Sequence, residues 1–281
     1  MIREDNGFSI VELMVVLVLS GMVMLAVYRA LASQQRVYVA QDQVVTMQQD
    51  LRAVMEIMVQ GIRMAGYDPT SSNQFGFISL PSPGSPGFGR HTSSDGIAFC
   101  SDSDDPPNGL PDSSDLEQVA FRLNVDQSGR SLSPGLRDNV LRKFSTGAVR
   151  WQPLAENIEA IGFAYAVDDD GDAQLDTVSG GTIWAIDAST PPSGMLNVNL
   201  DTNHDGEVDA NDDPAGEPLS KPVSIKRIRA VKIWILERSQ HPDKDFVNAS
   251  TYVVGNQRVT AKDNHRRRLV ATTVRCRNTG L

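Results

Sequence analysis

The sequence predicts an α+β fold in which one long N-terminal helix packs on a mainly antiparallel β-sheet. Two observations favour this fold: an apolar run at the amino terminus that continues as a helical repeat, and many short apolar segments separated by turn residues. With 281 residues, of which 40% are hydrophobic, the chain can bury a sizeable core. Its net charge of -9 speaks against a general nucleic-acid binder, and its two cysteines exclude a disulfide-dense mini-protein.

The first element is an apolar segment, residues 8–28, that is long enough to cross a bilayer. It reads FSIVELMVVLVLSGMVMLAVY and contains one charged residue, Glu12. A helix of this length spans about 30 Å, the thickness of the hydrocarbon core. The run is too long for a secretory signal peptide, and no Ala-x-Ala cleavage site follows it. An ordinary single-span anchor explains the length but not Glu12, because a carboxylate is costly in lipid.

The next stretch, residues 29–66, keeps a helical pattern without remaining apolar on all sides. Its apolar residues recur at spacings of three and four, which predicts one stripe that packs on the sheet, with a coiled-coil seam as the alternative. Gly61, Gly66 and the pair Asp68-Pro69 are expected to end the helix. The stripe consists of Val37, Ala40, Val44, Met47, Leu51, Val54, Met58 and Ile62.

The remaining residues, 67–281, are predicted to form a globular β-rich domain with acidic loops. Residues 225–236 are apolar on both faces in the second half of the segment, which indicates a central strand. Residues 270–276 alternate between apolar and more polar positions and predict a final strand. The other strand candidates are residues 75–80, 96–100, 119–123, 140–144, 158–167 and 182–186.

The sharpest chemical pattern is the segment DTNHDGEVDAND at residues 201–212, called here the first acidic loop. Oxygen-bearing side chains at positions one, three and five, glycine at six, and aspartate at nine and twelve form the spacing of an EF-hand-like calcium loop. Pro214 and Pro218 leave no room for a following helix, and a solvated acidic turn is the alternative. His204 is expected to be exposed rather than a ligand. The Glu207 ligand would be its carbonyl oxygen, and the candidate Ca²⁺ ligands are Asp201, Asn203, Asp205, Glu207, Asp209 and Asp212.

A weaker calcium candidate lies at residues 168–176, called here the second acidic loop. Aspartates occupy positions one, three, five and nine, but Gly171 comes one position early for an EF-hand-like loop. The acidic stretch at 102–105 has no such spacing and is expected to be a solvated loop. The candidate ligands of the second loop are Asp168, Asp170, Asp172 and Asp176.

Two further groups of residues leave their alternatives open. Cys100 and Cys276 could form a disulfide in an oxidising compartment, or remain two separate buried thiols. The basic cluster HRRR at 265–268 could contact DNA phosphates or acidic surfaces of neighbouring subunits, or be a solvated strand start. The sequence contains no glycine-rich phosphate loop, nucleophile elbow or His-Glu-x-x-His pattern, so no enzymatic activity is predicted.

The segment GFSIVEL at residues 7–13, behind the polar leader MIREDN, resembles the signal of type IV pilins and pseudopilins. The resemblance implies that a prepilin peptidase removes residues 1–7 by cutting after Gly7, and methylates the new amino terminus at Phe8. It also implies that Glu12 pairs with the terminal amine of a neighbouring subunit. Such a pair neutralises two charges that would each be costly in an apolar bundle.

Three further segments resemble PilW-type minor pilins: GIRMAGYDP at 61–69, IRAVKIWIL at 228–236 and the terminal residues 267–278. The resemblance implies a non-enzymatic subunit that crosses the bacterial inner membrane once, carries a periplasmic domain and later joins a pilus at the cell surface. Its partners would be other minor and major pilins, the prepilin peptidase and the inner-membrane assembly platform. It would prime assembly and lie at the tip. Two alternatives are a GspJ-like minor pseudopilin of type II secretion and a calcium-dependent tip adhesin.

Overall fold

The computed structural model describes residues 9–79, 92–111, 117–126, 131–145, 150–190 and 192–279. These residues form one long helix and a set of β-strands that pair mainly in two antiparallel sheets. The chain separates into two compact units, Met1–Thr46 and Met47–Leu281. The predicted class, α+β with a long N-terminal helix and a mainly antiparallel sheet domain, is confirmed.

Helix α1 runs from Ile10 to Met64, and its amino-terminal part is strongly apolar. Within the described residues this helix alone is long and apolar enough to cross a membrane, with a mean hydropathy of 2.7 over its most apolar window. Gly66 follows the helix with a φ of +75°, a left-handed conformation that glycine adopts readily, so it acts as the predicted stop. Gly61 lies inside the helix instead: a Cβ there would be 3.2 Å from the Phe99 ring, so glycine permits close packing.

Within the unit Met47–Leu281, the helix buries one face. The buried residues are spaced three or four apart, which places them on one side of the helix and confirms packing on the sheets for this part of the stripe. The stripe residues before Met47, among them Val37, belong to the other unit. The buried helical residues are Met47, Leu51, Val54, Met58 and Ile62.

The described residues contain fifteen strands. Two predicted ranges, 96–100 and 158–167, coincide with observed strands, whereas the predicted strand at 182–186 divides into two short ones. The predicted strand at 225–236 begins only at Ile228, because Ser224 Oγ caps a 3₁₀ turn at Ile225–Arg227 by accepting the Lys226 N–H. The strands are β1 Gly76–Phe77, β2 Gly96–Cys100, β3 Gln118–Leu123, β4 Leu141–Ser145, β5 Gln152–Ala155, β6 Ile158–Val167, β7 Thr177–Val178, β8 Gly181–Thr182, β9 Ala185–Ile186, β10 Met195–Asn199, β11 Glu217–Ser224, β12 Ile228–Arg238, β13 Thr251–Val254, β14 Gln257–Thr260 and β15 Arg267–Arg275.

The strands form two main sheets and two hairpins. The five-stranded sheet has the sequential order β1-β2-β3-β4-β5, and the six-stranded sheet has the order β11-β10-β9-β6-β12-β15. Strands β7 and β8 form one hairpin, and β13 and β14 form the other. Strand β12 lies between β6 and β15, as the apolar character of both its faces predicted. The sequence did not predict β11, whose two prolines are tolerated because it is an edge strand.

The core lies on both faces of the six-stranded sheet. On one face, Phe163 and Ile233 belong to a cluster that includes helix residue Met58 and Phe99 of the five-stranded sheet. On the other face, Trp184, Trp234 and neighbouring small residues form a second cluster. Because side chains alternate along a strand, β6 and β12 must be apolar at almost every position to bury both faces.

A buried hydrogen bond links β6 to the turn before β2. The Tyr165 hydroxyl donates to the carbonyl oxygen of Ser93 at 2.7 Å, and burial raises the pKa of Tyr165 well above its ordinary value. The Phe163 N–H donates to the carbonyl oxygen of Ser94 at 3.1 Å. These bonds hold the two sheets together where the helix packs on them.

Candidate functional site

The first candidate site is the amino-terminal turn of α1. The Glu12 carboxylate accepts the backbone N–H of Ser9 at 3.3 Å, and Ser9 Oγ accepts the N–H of Val11 at 3.3 Å. This arrangement corresponds to a capping box, in which Ser and Glu three residues apart satisfy free N–H groups at a helix start. Glu12 is exposed, so it can also meet another subunit. The predicted cleavage and methylation residues, Gly7 and Phe8, lie outside the described residues.

The first acidic loop, 201–212, closes on itself through its first and last aspartates. Asp201 is fully buried and accepts the N–H of Gly206 at 2.7 Å, while Gly206 has a φ of +87° that permits the turn. Asp212 accepts the N–H of Thr202 at 2.8 Å and that of Asp209 at 2.9 Å. Burial acts to raise the pKa of Asp212, but these N–H groups lower it overall.

The carboxylates of the first acidic loop do not all converge. Asp209 accepts the backbone and side-chain N–H groups of Asn211, and the Glu207 carboxylate forms an ion pair with Lys232. Among the described residues, the groups of three carboxylates whose oxygens lie within 4.8 Å of one another occur elsewhere. The loop therefore has the turn of an EF-hand-like loop, while its candidate side chains accept N–H groups of the loop itself or, for Glu207, pair with a lysine.

Long-range contacts that the sequence did not predict hold the first acidic loop in place. Lys232, on the central strand β12, lies 5.1 Å from the Trp184 ring centroid while it pairs with Glu207. Trp184 Nε1 donates to the carbonyl oxygen of Gly206 at 2.8 Å, and Arg258 donates to the carbonyl oxygens of two loop residues. The feature of the sequence that could have indicated these contacts is the lone lysine inside the apolar segment IRAVKIWIL.

His204 lies in the first acidic loop but is not simply exposed, as the sequence suggested. Its Nε2 is 2.7 Å from Glu217 Oε1, and 27% of its side chain is accessible. The hydrogen bond with Glu217 raises the pKa of His204, and the same bond lowers the pKa of Glu217. His204 thus ties the loop to the beginning of β11.

In the second acidic loop, 168–176, three of the four predicted ligands come together. Asp168, Asp170 and Asp176 each place a carboxylate oxygen within 4.8 Å of the others. Burial raises the pKa of Asp176, and the charges of the neighbouring aspartates add to this shift. Asp172 is not part of this group and accepts the N–H of Gln174 at 2.8 Å.

Basic side chains already offset part of the charge of the second acidic loop. Arg229 Nε lies 3.5 Å from Asp168 Oδ2, and Lys221 Nζ lies 3.2 Å from Asp169 Oδ2. A Cβ on Gly181 of β8 would lie 2.5 Å from the carbonyl oxygen of His204 in the first loop. The hairpin that follows the second loop therefore packs directly on the first.

The basic cluster at 265–268 is largely neutralised within the chain. The Arg267 side chain is 3% exposed and donates to the carboxylates of Asp263 and Glu159, which raise its pKa. Arg266 pairs with Asp243 at 2.7 Å. The cluster therefore anchors the start of β15 rather than presenting four basic side chains to DNA or to a partner.

Cys100 and Cys276 are free, buried thiols in this structure, which is the second of the two alternatives that the sequence left open. The Cys100 thiol donates to the carbonyl oxygen of Gly76 at 3.5 Å. Burial raises the pKa of Cys100 to about 11 and that of Cys276 to about 12. Both side chains are therefore protonated near neutral pH and act as small apolar groups.

The acidic stretch 102–105 was expected to be a solvated loop, and this was wrong for Asp102. Asp102 is fully buried, and a carboxylate oxygen of Asp102 lies within 4.8 Å of one from Asp104 and one from Glu117. The sequence pattern missed this group because Glu117 lies beyond the stretch and comes close only through strand pairing.

Comparisons with known proteins match both ends of the chain. Residues 196–278 match the family model of the type IV pilus-assembly protein W, and residues 2–28 match the prokaryotic N-terminal methylation motif. These matches confirm the resemblance to PilW-type minor pilins. The leader motif and the apolar helix fit a membrane-anchored protein.

One similar solved structure is a type IV-like pilin from Thermus thermophilus. It is 13% identical, with a TM-score of 0.45, and the match covers 84% of this chain and 98% of that chain. A search of curated proteins finds no match to the sequence.

Proposed function

We propose that this chain, which carries a prepilin methylation motif at one end and a PilW-type segment at the other, is a minor pilin that helps to initiate and assemble a type IV pilus. The observation that carries the proposal is the PilW match at residues 196–278, which contains strands β10 to β15. The role we propose is structural, in keeping with the pilus-assembly family whose model matches.

In this proposal the peptidase cuts after Gly7 and leaves Phe8 as the methylated amino terminus. The apolar part of α1 is held in the inner membrane, with the sheets in the periplasm, until the subunit enters a priming complex that ends at the pilus tip. Glu12 sets the register with the terminal amine of a neighbour. The pairing is favourable because the attraction between the two charges is strong in apolar surroundings, where water and salt do not screen it.

The decisive test of Glu12 separates its assembly role from its capping role. Glu12→Gln keeps a side chain that can cap Ser9 but removes the charge, whereas Glu12→Ala removes both. We expect both variants to be cleaved normally by the peptidase and both to lose incorporation by about tenfold or more. Incorporation is measured by immunoblotting sheared pili against the membrane fraction.

Normal incorporation of Glu12→Gln together with loss for Glu12→Ala would assign Glu12 to helix capping and contradict the pairing role. Ser9→Ala serves as a matched control, since it removes the Ser9 Oγ contact to Val11 while leaving the Glu12 charge in place. We expect it to retain incorporation.

The pseudopilin alternative is tested with a deletion strain. Loss of surface pili in electron micrographs, with type II secretion intact, supports the pilus role. Normal pili with failed secretion would instead assign the chain to the secretion system, where it would be a GspJ-like minor pseudopilin.

We also propose that the acidic loops bind calcium. The second loop is the better candidate, because its carboxylates lie close together. Calcium prefers several oxygen ligands, and Asp168, Asp170 and Asp176 place three carboxylates together. We expect Ca²⁺ to raise the unfolding temperature of the detergent-solubilised chain relative to EDTA, and Asp170→Asn to reduce this increase. Asp172→Asn is the matched control, because Asp172 is not among the three converging carboxylates.

For the first loop, Asp205→Asn is compared with Asp213→Asn, a change just outside the loop. An unchanged calcium effect in both Asp170→Asn and Asp205→Asn would contradict calcium binding at these loops. Calcium-dependent adhesion of the chain to surfaces would be the further outcome that favours an adhesin role.

A further inference from the structure

A third group of carboxylates lies away from both acidic loops, where β2 and β3 pair. Asp102 and Asp104 follow the end of β2, and Glu117 immediately precedes β3. The antiparallel register places Cys100 opposite Gln118, and the Ser101 N–H donates to the carbonyl oxygen of Glu117 at 2.9 Å. Strand pairing therefore brings the three carboxylates together, with one oxygen of each within 4.8 Å of the others.

Burial makes this group different from an ordinary acidic turn. Asp102 and Glu117 are both 0% exposed, and Asp104 is partly exposed. Asp102 Oδ2 accepts the N–H of Gly109 at 3.0 Å, whereas its Oδ1 is buried and has no hydrogen-bond partner. A buried carboxylate oxygen without a partner is costly unless a proton or a cation compensates it.

The group of Asp102, Asp104 and Glu117 also differs from the two acidic loops in its ion pairs. Arg229 lies beside Asp168 in the second loop, and Lys232 pairs with Glu207 in the first. In the part of the chain that the structure describes, Asp102 forms no ion pair with a lysine, arginine or histidine. It is thus a buried acidic side chain that no basic group among the described residues pairs with.

An open cavity gives access to this group. Its volume is about 720 Å³, and Asp104 lines it together with other polar residues of the same loop, so a small ion can reach the partly exposed carboxylate from solvent. The polar residues that line the cavity are Ser101, Ser103, Asp104, Asp105 and Asn108.

We propose that Asp102, Asp104 and Glu117 bind a divalent cation, with Ca²⁺ as the fitting ion. The three side chains offer only oxygen ligands, which hard cations prefer, and no imidazole or thiolate that would favour zinc. Bound there, the ion joins the ends of β2 and β3 and neutralises the interior carboxylates.

The test compares bound calcium in the wild-type chain and in three variants, all purified in detergent at full length. Equilibrium dialysis against radioactive calcium counts the bound ions, and tryptophan fluorescence verifies the fold. We expect Asp102→Asn and Asp104→Asn each to bind about one ion fewer per chain than wild type. Asp105→Asn is the matched control, with the same charge change on an exposed neighbour outside the group, and should bind as wild type does.

Equal calcium binding by wild type, Asp102→Asn and Asp104→Asn would overturn the proposal. Asp104→Asn keeps the test decisive if Asp102→Asn does not fold, because Asp104 is partly exposed. The loop variants Asp170→Asn and Asp205→Asn should retain this ion, which distinguishes the site from the two acidic loops. The proposal does not depend on the assembly role.

Discussion

Glu237 shows how one residue can make stability depend on pH. It lies on the central strand β12 with 2% of its surface exposed, and its Oε2 has no hydrogen-bond partner. Burial, and then the charge of Asp50, raise the pKa of Glu237 from 4.5 to about 8. The folded chain therefore holds a proton at neutral pH that the unfolded chain releases.

This shift predicts that Glu237→Gln stabilises the protein more as pH rises. Glu237 imposes no ionisation penalty below pH 4.5, and the penalty grows as pH rises through about 8, because its folded pKa lies above the unfolded one. We expect the variant to gain about 1–3 kcal/mol in free energy of unfolding at pH 8 and little near pH 5. Urea unfolding at both pH values measures this gain in the free energy of unfolding, and the exposed Glu156→Gln is the control. An equal gain at both pH values would argue against the mechanism.

Among single elements, the β13–β14 hairpin depends on one glycine of the strand it packs against. Gly162 lies in the middle of β6, and a Cβ there would be 2.8 Å from both the backbone carbon and the carbonyl oxygen of Val254. Gln257, on the same hairpin, donates its side-chain N–H to the carbonyl oxygen of Ile161 at 3.0 Å. The hairpin therefore packs against the strand backbone itself, and no flexible side chain can yield to make room.

We predict that Gly162→Ala destabilises the protein by about 2 kcal/mol or more, since an added methyl group must displace backbone. Gly135→Ala is the matched control, because a Cβ there meets nothing within 4 Å. Thermal unfolding of both variants measures the difference. Equal stability of Gly162→Ala and wild type would show that the hairpin does not pack as closely as described.

At the scale of the molecule, the helical residues from Met47 onward and both sheets share one hydrophobic core. Met58 is 0% exposed and belongs to the same buried cluster as Phe99 of the five-stranded sheet and Phe163 of the six-stranded sheet. Trp151 reports on the end of the five-stranded sheet and Trp234 on the six-stranded one. A shared core predicts that these parts unfold together.

Met58→Ala should therefore lower the stability of the whole unit, not of the helix alone. We expect a loss of about 2–5 kcal/mol, with tryptophan fluorescence and helical circular dichroism changing in one transition. Met64→Ala, at a position that is 47% exposed near the end of the helix, should have a much smaller effect. Separate transitions for the helix and the tryptophans would contradict the shared core.

The sequence by itself determined the features that depend on neighbouring residues. The apolar run at 8–28, the spacing of Met47 to Ile62, the stop at Gly66 and the strands at 96–100 and 158–167 are all local patterns. Periodicity and capping are properties of contiguous residues, so one sequence suffices to predict them. The turn of the first acidic loop, with Gly206 after Asp205, belongs to the same class.

Only the tertiary structure decided which distant side chains meet. Glu207 pairs with Lys232, Arg267 with Glu159, and Asp102 meets Glu117, in each case through strand order and register that spacing along the chain does not encode. The same reason explains why Asp102 was expected in solvent. Charge alone indicates a surface position, whereas burial depends on the strand that pairs beside it.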